Sequence, residues 1–244
     1  MPYTYSLVLP AVNTWLKNQG YRNLDGSEEV IVLDHNDPIY RAPSRMGDMA
    51  EWHMKQRKAG IPTRKFRSCT DGAKVAPFRR FVNHQKDLRF GKWKNYGYRH
   101  TVLIGIAADE AERADNSISL IPDSAKYLEH RFPLIEAGIT KSACVEILKA
   151  ENIPAYKSGC YLCPFQPISK FWAVSVLYPE LHAKSVAMEN LAAARNPKLR
   201  IIGREGVSLD QEIARWVARQ ITKSGELPDP WETLTRNYKL KRCW

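Results

Sequence analysis

Thr101-Val102-Leu103-Ile104-Gly105-Ile106 runs without a break into Ala107-Ala108-Asp109-Glu110-Ala111-Glu112-Arg113. The first six residues are nearly all apolar, the pattern of a strand buried on both faces in a parallel sheet. The polar residues that follow stand at the carboxyl end of that strand, where open parallel sheets bind their ligands. Asp109, Glu110 and Arg113 are therefore candidate site residues. The alternative reading makes them turn and helix-capping residues joined by a surface ion pair.

Upstream, Val30-Ile31-Val32-Leu33 is a second short apolar run expected to form a buried strand. It follows a helix expected over residues 4 to 20, on which Leu7, Val8, Val12, Trp15 and Leu16 recur at helical spacing and which Gly20 closes. Residues 45 to 59 read as a helix carrying Met46, Met49, Trp52 and His53, ended by Gly60 and Pro62. Downstream, Phe132-Pro133-Leu134-Ile135 precedes a helix from Thr140 to about Asn152. Thr140 is its expected N-cap, and Ala143, Cys144, Ile147 and Leu148 form one stripe, which puts Cys144 in the core.

The C-terminal third reads as entirely helical. One helix starts near Ser169 with Phe171, Trp172, Val174, Val176 and Leu177 and stops at Tyr178-Pro179; more helix follows through Asn190 and from Ser208 to Ile221. Strands alternating with helices and then a helical cap specify an α/β fold of three layers. The expected organisation is an α/β domain over residues 1–168 and an all-helical C-terminal region over 169–244.

The 244-residue chain, 44% apolar, can bury one substantial core. No run approaches the roughly eighteen apolar residues of a membrane span, and the N-terminus lacks the charged-then-apolar order of a signal peptide. A soluble, cytoplasmic protein with no membrane partner is expected. The net charge of +11 is concentrated: residues 55–100 hold fourteen Lys/Arg against Asp71 and Asp87, and the rest of the chain is close to neutral. Such a patch favours a phosphate-bearing partner, a nucleotide or a nucleic acid backbone. Phe66, Phe78, Phe81, Phe90, Trp93, Tyr96 and Tyr98 are interleaved with the cations and suit base stacking. The competing reading is a solvated basic face whose aromatics point inward.

Five cysteines, an odd number in a chain this long, do not form a disulfide framework. Lys157-Ser158-Gly159-Cys160-Tyr161-Leu162-Cys163-Pro164-Phe165 sets two thiols at the spacing that grips one zinc or iron. Cys69, in Arg67-Ser68-Cys69-Thr70-Asp71-Gly72, and Cys243, at the last position but one, are the other loop cysteines. Together the four are candidate metal ligands, although Cys243 reads equally as a free terminal thiol. Zinc and an iron-sulfur cluster both suit the donor set. A Cys69 nucleophile activated by the surrounding cations is a further alternative, but it leaves Cys160 and Cys163 unexplained. The six histidines show no metal-type spacing.

Three stretches in combination resemble the phosphoadenosine phosphosulfate (PAPS) reductase-like family of the adenine nucleotide alpha hydrolase, or PP-loop, superfamily. They are the Cys69-Thr70 loop with Lys74-Val75-x-Pro77-x-Arg79-Arg80, the strand ending Gly105-Ile106-x-x-Asp109-Glu110-x-x-Arg113, and Phe132-Pro133-Leu134-Ile135 followed by a helix and Cys160-x-x-Cys163-Pro164-Phe165. The resemblance covers roughly residues 1 to 185. It implies a Rossmann-like parallel sheet flanked by helices that binds an adenine nucleotide or sulfonucleotide. Lys74, Arg79, Arg80 and Arg113 would contact phosphate or sulfate, and Asp109 and Glu110 would order the strand-end loop.

Adenylyl-sulfate reductases of this group hold a [4Fe-4S] cluster with a Cys-Cys pair and a later Cys-x-x-Cys; Ser68-Cys69 stands here where the first pair would be. The replaced ligand leaves an open iron, hands its place to Cys243, or signals zinc. Open iron fits the related sulfurtransferases that thiolate tRNA or DNA. The family's Ser-Gly-Gly-x-x-Ser phosphate loop does not occur in the chain, and Met1-Pro2-Tyr3-Thr4-Tyr5 resembles the stretch just after the family's second strand. The expectation is a domain lacking its N-terminal strand-loop-helix and second strand. Lys241-Arg242-Cys243-Trp244 does not match the family's C-terminal catalytic cysteine motif.

A reductase-like protein of the kind common in phages and mobile elements is thus expected, acting in sulfur transfer or sulfonucleotide reduction. The rivals are a nucleic-acid-binding module with a structural metal and an inactive subunit that needs a partner carrying the phosphate loop.

Overall fold

The computed structural model describes residues 2, 4–23, 26–33, 37, 39, 48–55, 61–62, 69, 72, 75–90, 100–114, 128–156, 159–202 and 205–236. Lys74, Cys243 and the basic loop 91–99 lie outside them. The chain divides into two compact units. One gathers the described residues within Val32–Phe81 and Tyr156–Cys243, the other those within Pro2–Ile31 and Val82–Ala155.

The second unit opens with a π-helical turn, Thr4–Val8, that passes into α1 (Leu9–Asn18). Gly20 ends the segment in the left-handed region with φ 70°, a conformation nearly free of penalty for glycine alone. Val30-Ile31-Val32-Leu33, expected as a buried strand, has no ladder partner among the described residues, and Val32 is 48% exposed. An apolar run becomes a strand only where a neighbouring backbone pairs with it. Here the Val30 N–H instead donates to the Asn13 side chain at 2.9 Å.

Among the described residues the sheet is a pair of parallel strands, β1 (His100–Leu103) and β2 (Leu128–Arg131), with His100 opposite Leu128 and Leu103 opposite Arg131. The fold is therefore mixed α and β with a small parallel sheet. β1 is shorter than the expected strand and is not buried on both faces: burial alternates along it, and Leu103 is 67% exposed. Ile104 adds one more bond to Arg131 at 2.9 Å, and Ile106 then turns back on Ile104. Ile106, Ala114 and Phe132 form the small core at the strand ends, flanked by Ile104 and Ile135.

The short helix α4 (Pro133–Glu136) follows β2, and α5 (Lys141–Ala150) starts where the Thr140 hydroxyl accepts from the Ala143 N–H, as the sequence predicts. No residue of α5 is fully buried, so Cys144 is half-buried rather than in the core. Its stripe is only partly covered, with Ile147 open to solvent.

The first unit holds α2 (Met49–Lys55) and the helical C-terminal part: α6 (Ile168–Leu177), α7 (Pro179–Arg195), α8 (Leu209–Ser224) and α9 (Pro230–Thr235). The dividing line along the chain falls inside α3 (Ala76–Phe90). α6 is the hub, with Phe171, Trp172, Ala173 and Val174 buried against its neighbours and Trp172 stacked at a tilt on Trp216 of α8, 5.1 Å between ring centres. It ends at Tyr178 because Pro179 cannot continue it and instead begins α7. α8 opens with a capping box in which Ser208 and Gln211 satisfy each other's backbone N–H groups, and Gly225 closes it at φ 77°. Among the described residues no helix is long and apolar enough to cross a membrane.

Candidate functional site

The Cys160-x-x-Cys163 segment folds as a tight turn. The Cys163 N–H donates to the Cys160 carbonyl and the Gln166 N–H to the Cys163 carbonyl, both at 3.1 Å, while the Gln166 side chain donates to the Tyr161 carbonyl at 3.0 Å. Tyr161, Leu162 and Pro164 are buried and anchor the turn, so the two thiols stay half-buried at its face. Apolar residues between and after the cysteines thus hold the loop from beneath.

The third thiol comes from elsewhere in the chain. Burial pushes the Cys160 thiol above its ordinary value; the Leu162 N–H, aimed at it, pulls the other way, and the neighbouring Cys163 and Cys69 thiols push it up again. Cys69 is therefore within electrostatic reach of the pair, in the same compact unit. All three are reduced and half-buried. An N–H directed at sulfur stabilises a thiolate. Crowded thiolates repel one another, and a cation between them reverses that penalty. Among the described residues no three His, Cys, Asp or Glu side chains are drawn together as tightly as bound metal requires. The donor set and its N–H support nevertheless fit thiolate ligation.

The remaining site candidates sort by element. Arg79 is half-buried and Arg80 exposed, as expected for neighbours about 100° apart around α3. Asp109 and Glu110 lie on a 3-10 turn after β1. Asp109 accepts from the Lys141 N–H at 3.0 Å and so helps start α5, while Glu110 joins Arg113 at 2.8 Å and the Lys141 ammonium at 2.6 Å. With Ala108 donating to the Ile139 carbonyl at 2.9 Å, the strand-end loop is tied to the beginning of α5. Asp109 and Glu110 thus link this loop to the start of α5, and Arg113 pairs with Glu110.

In the same unit as the thiol turn lies a polar group that the sequence did not reveal. Asp48 caps α2 by accepting from the Glu51 N–H at 2.9 Å, and the Lys184 ammonium of α7 donates to Asp48 at 2.5 Å and to Glu51 at 3.4 Å. Burial tends to raise the Asp48 carboxyl, but the Glu51 N–H and Lys184 outweigh it and leave it lowered. The Tyr161 hydroxyl is pushed up, by burial first and then by the charges of Asp48 and Cys160. Asp48 three residues before Glu51 is a readable capping pattern. Lys184 carries no signal of its role, because its partners lie more than a hundred residues away. Comparison with family models, with curated proteins and with solved structures finds no match to this chain.

Proposed function

We propose that this chain is a PAPS reductase-like protein that binds an adenine nucleotide or sulfonucleotide beside a cysteine-ligated metal centre. Cys69, Cys160 and Cys163 are the ligands, and Cys243 is the candidate fourth. The observation that carries this reading is the Cys160–Cys163 turn, closed by the Cys163 N–H on the Cys160 carbonyl and backed by buried Tyr161 and Leu162, which sets two reduced thiols at metal-ligand spacing. The parallel pairing of β1 with β2 supports a Rossmann-like sheet, and the ordered loop after β1 supports a ligand at its carboxyl end. Lys74, Arg79, Arg80 and Arg113 would supply cationic contacts to the phosphate or sulfate.

Bound zinc would brace the fold, whereas a bound [4Fe-4S] cluster would supply the electron or sulfur chemistry of sulfonucleotide reduction or sulfur transfer. The chain's own contribution is to hold the Cys160 and Cys163 thiols on a turn backed by the buried Tyr161, Leu162 and Pro164.

Anaerobic purification with metal and sulfide analysis tests the proposal. Iron with sulfide and broad visible absorption is the expected result for the redox branch, and stoichiometric zinc in a colourless protein the result for a structural site. Cys69→Ala, Cys160→Ala and Cys163→Ala should each lower metal content, and Cys144→Ala should not. Purified protein free of metal, or indifferent to all three ligand substitutions, overturns the assignment.

A further inference from the structure

Cys160 and Cys163 are the first and last residues of a hydrogen-bonded four-residue turn, with the Cys163 N–H on the Cys160 carbonyl at 3.1 Å. Such a turn keeps its end Cα atoms within about 7 Å, a span that a disulfide bridges. The turn does not depend on that one bond. Leu162, one of its two central residues, is 1% exposed, and its neighbour Tyr161 is buried as well. Just downstream, the Gln166 N–H donates to the Cys163 carbonyl at 3.1 Å and the Gln166 side chain to the Tyr161 carbonyl at 3.0 Å. Both thiols are reduced and half-buried. Packing therefore fixes, in the reduced chain, the backbone that a bridge between the two sulfurs needs, and the entropy of closing the ring is lost on folding rather than on oxidation.

We propose that Cys160 and Cys163 are a redox-active pair that closes an intrachain disulfide across this turn, with a small-molecule disulfide of the glutathione type as oxidant. One turn thiolate attacks the oxidant, forming a mixed disulfide and releasing one of its two halves as a thiolate. The second turn thiolate attacks the protein sulfur of that mixed disulfide, forms the Cys160–Cys163 bond and expels the other half. The two cysteine protons end on the two released thiols: the protein dithiol is oxidised by two electrons and the small disulfide is reduced by two. Ring closure stands on the turn alone. A further consequence rests on reading Cys160 and Cys163 as metal ligands: sulfurs bonded to each other are no longer anionic donors, so oxidation and metal binding exclude one another.

The test uses the full chain, reduced and freed of metal, equilibrated with mixtures of oxidised and reduced glutathione, quenched with N-ethylmaleimide and digested with trypsin. Cleavage after Lys157 and Lys170 leaves both cysteines on residues 158–170. As the share of oxidised glutathione rises, that peptide should pass from two maleimide adducts to none, with two hydrogens fewer than the dithiol. In Cys160→Ser and Cys163→Ser the remaining thiol cannot close the ring, so the same peptide should carry one glutathione, at least about tenfold more than in the wild type. The equilibrium constant for bridging should be higher by about tenfold or more in the folded chain than in urea, because folding has already closed the loop. A peptide that keeps both thiols or takes up glutathione on each without bridging, a bridge from either cysteine to Cys69, or a bridging constant no higher folded than in urea overturns the redox pair. Added zinc should suppress bridging at least about tenfold by engaging the same sulfurs. Bridging indifferent to zinc overturns the ligand reading alone and leaves the redox pair standing.

Discussion

Glu189 offers the sharpest test of how the helical unit is held together. Its side chain on α7 is 1% exposed, and the carboxylate accepts from the Ile201 N–H at 2.9 Å and the Leu209 N–H at 2.7 Å. Arg200 approaches to 4.0 Å. One buried charge thus serves two backbone donors, one on the segment after α7 and one at the first residue of α8, and Ile201 and Leu209 are themselves buried. Glu189→Ala removes both acceptors at once. A hydrogen bond to a charged group contributes about 1.5–3 kcal/mol, and water entering the vacated space recovers part of the loss, so the expected destabilisation is about 3 kcal/mol. Glu189→Gln keeps the shape but has one acceptor oxygen, leaving one N–H facing an amide NH2, and should cost about half as much. Urea unfolding gives the magnitude, and hydrogen exchange gives the location: the Ile201 and Leu209 amides should exchange about a hundredfold faster in Glu189→Ala. If Glu189→Ala costs nothing and both amides keep their protection, the carboxylate does not organise this segment and the reasoning fails.

Other substitutions probe separate links. Phe171→Ala should destabilise by about 3–5 kcal/mol in chemical denaturation, since it empties a fully buried site on the hub helix α6; a loss under about 1 kcal/mol would mean that the core is not centred there. Ser208→Ala should cost about 1 kcal/mol by breaking the capping box of α8, with the first-turn amides of that helix losing protection. Asp48 sets a pH dependence: because its folded value is lowered, its contribution is complete above the unfolded value near 3.8 and is lost as pH falls through the folded one. The stability gap between wild type and Asp48→Asn should therefore close in acid, and thermal melts showing a constant gap down to strong acid would refute the Asp48–Lys184 pairing.

Helix boundaries were the most legible feature. Thr140, Ser208 and the Tyr178-Pro179 break carry local hydrogen-bonding or steric instructions that act within a few residues, and each operates in the structure at its expected place. Strands were less so. Leu128-Glu129-His130-Arg131 has almost no apolar signal, yet it pairs in parallel with β1, while the strongly apolar Val30-Ile31-Val32-Leu33 has no strand partner among the described residues. A strand is defined by a backbone partner distant in sequence, and hydrophobicity alone names no partner.

The thiol site divides the same way. Cys160 and Cys163 are a unit by spacing alone, because a four-residue turn brings their sulfurs to one face whatever surrounds it. The tie between Asp109 and the start of α5 and the Lys184–Asp48 ion pair between α7 and α2 exist only once the chain has folded. What the amino-acid sequence determined by itself is therefore the local chemistry: the caps, the helix stops and the paired thiols. Which distant residues meet was decided by tertiary packing, since those contacts depend on burial and charge pairing between elements that no short-range pattern encodes.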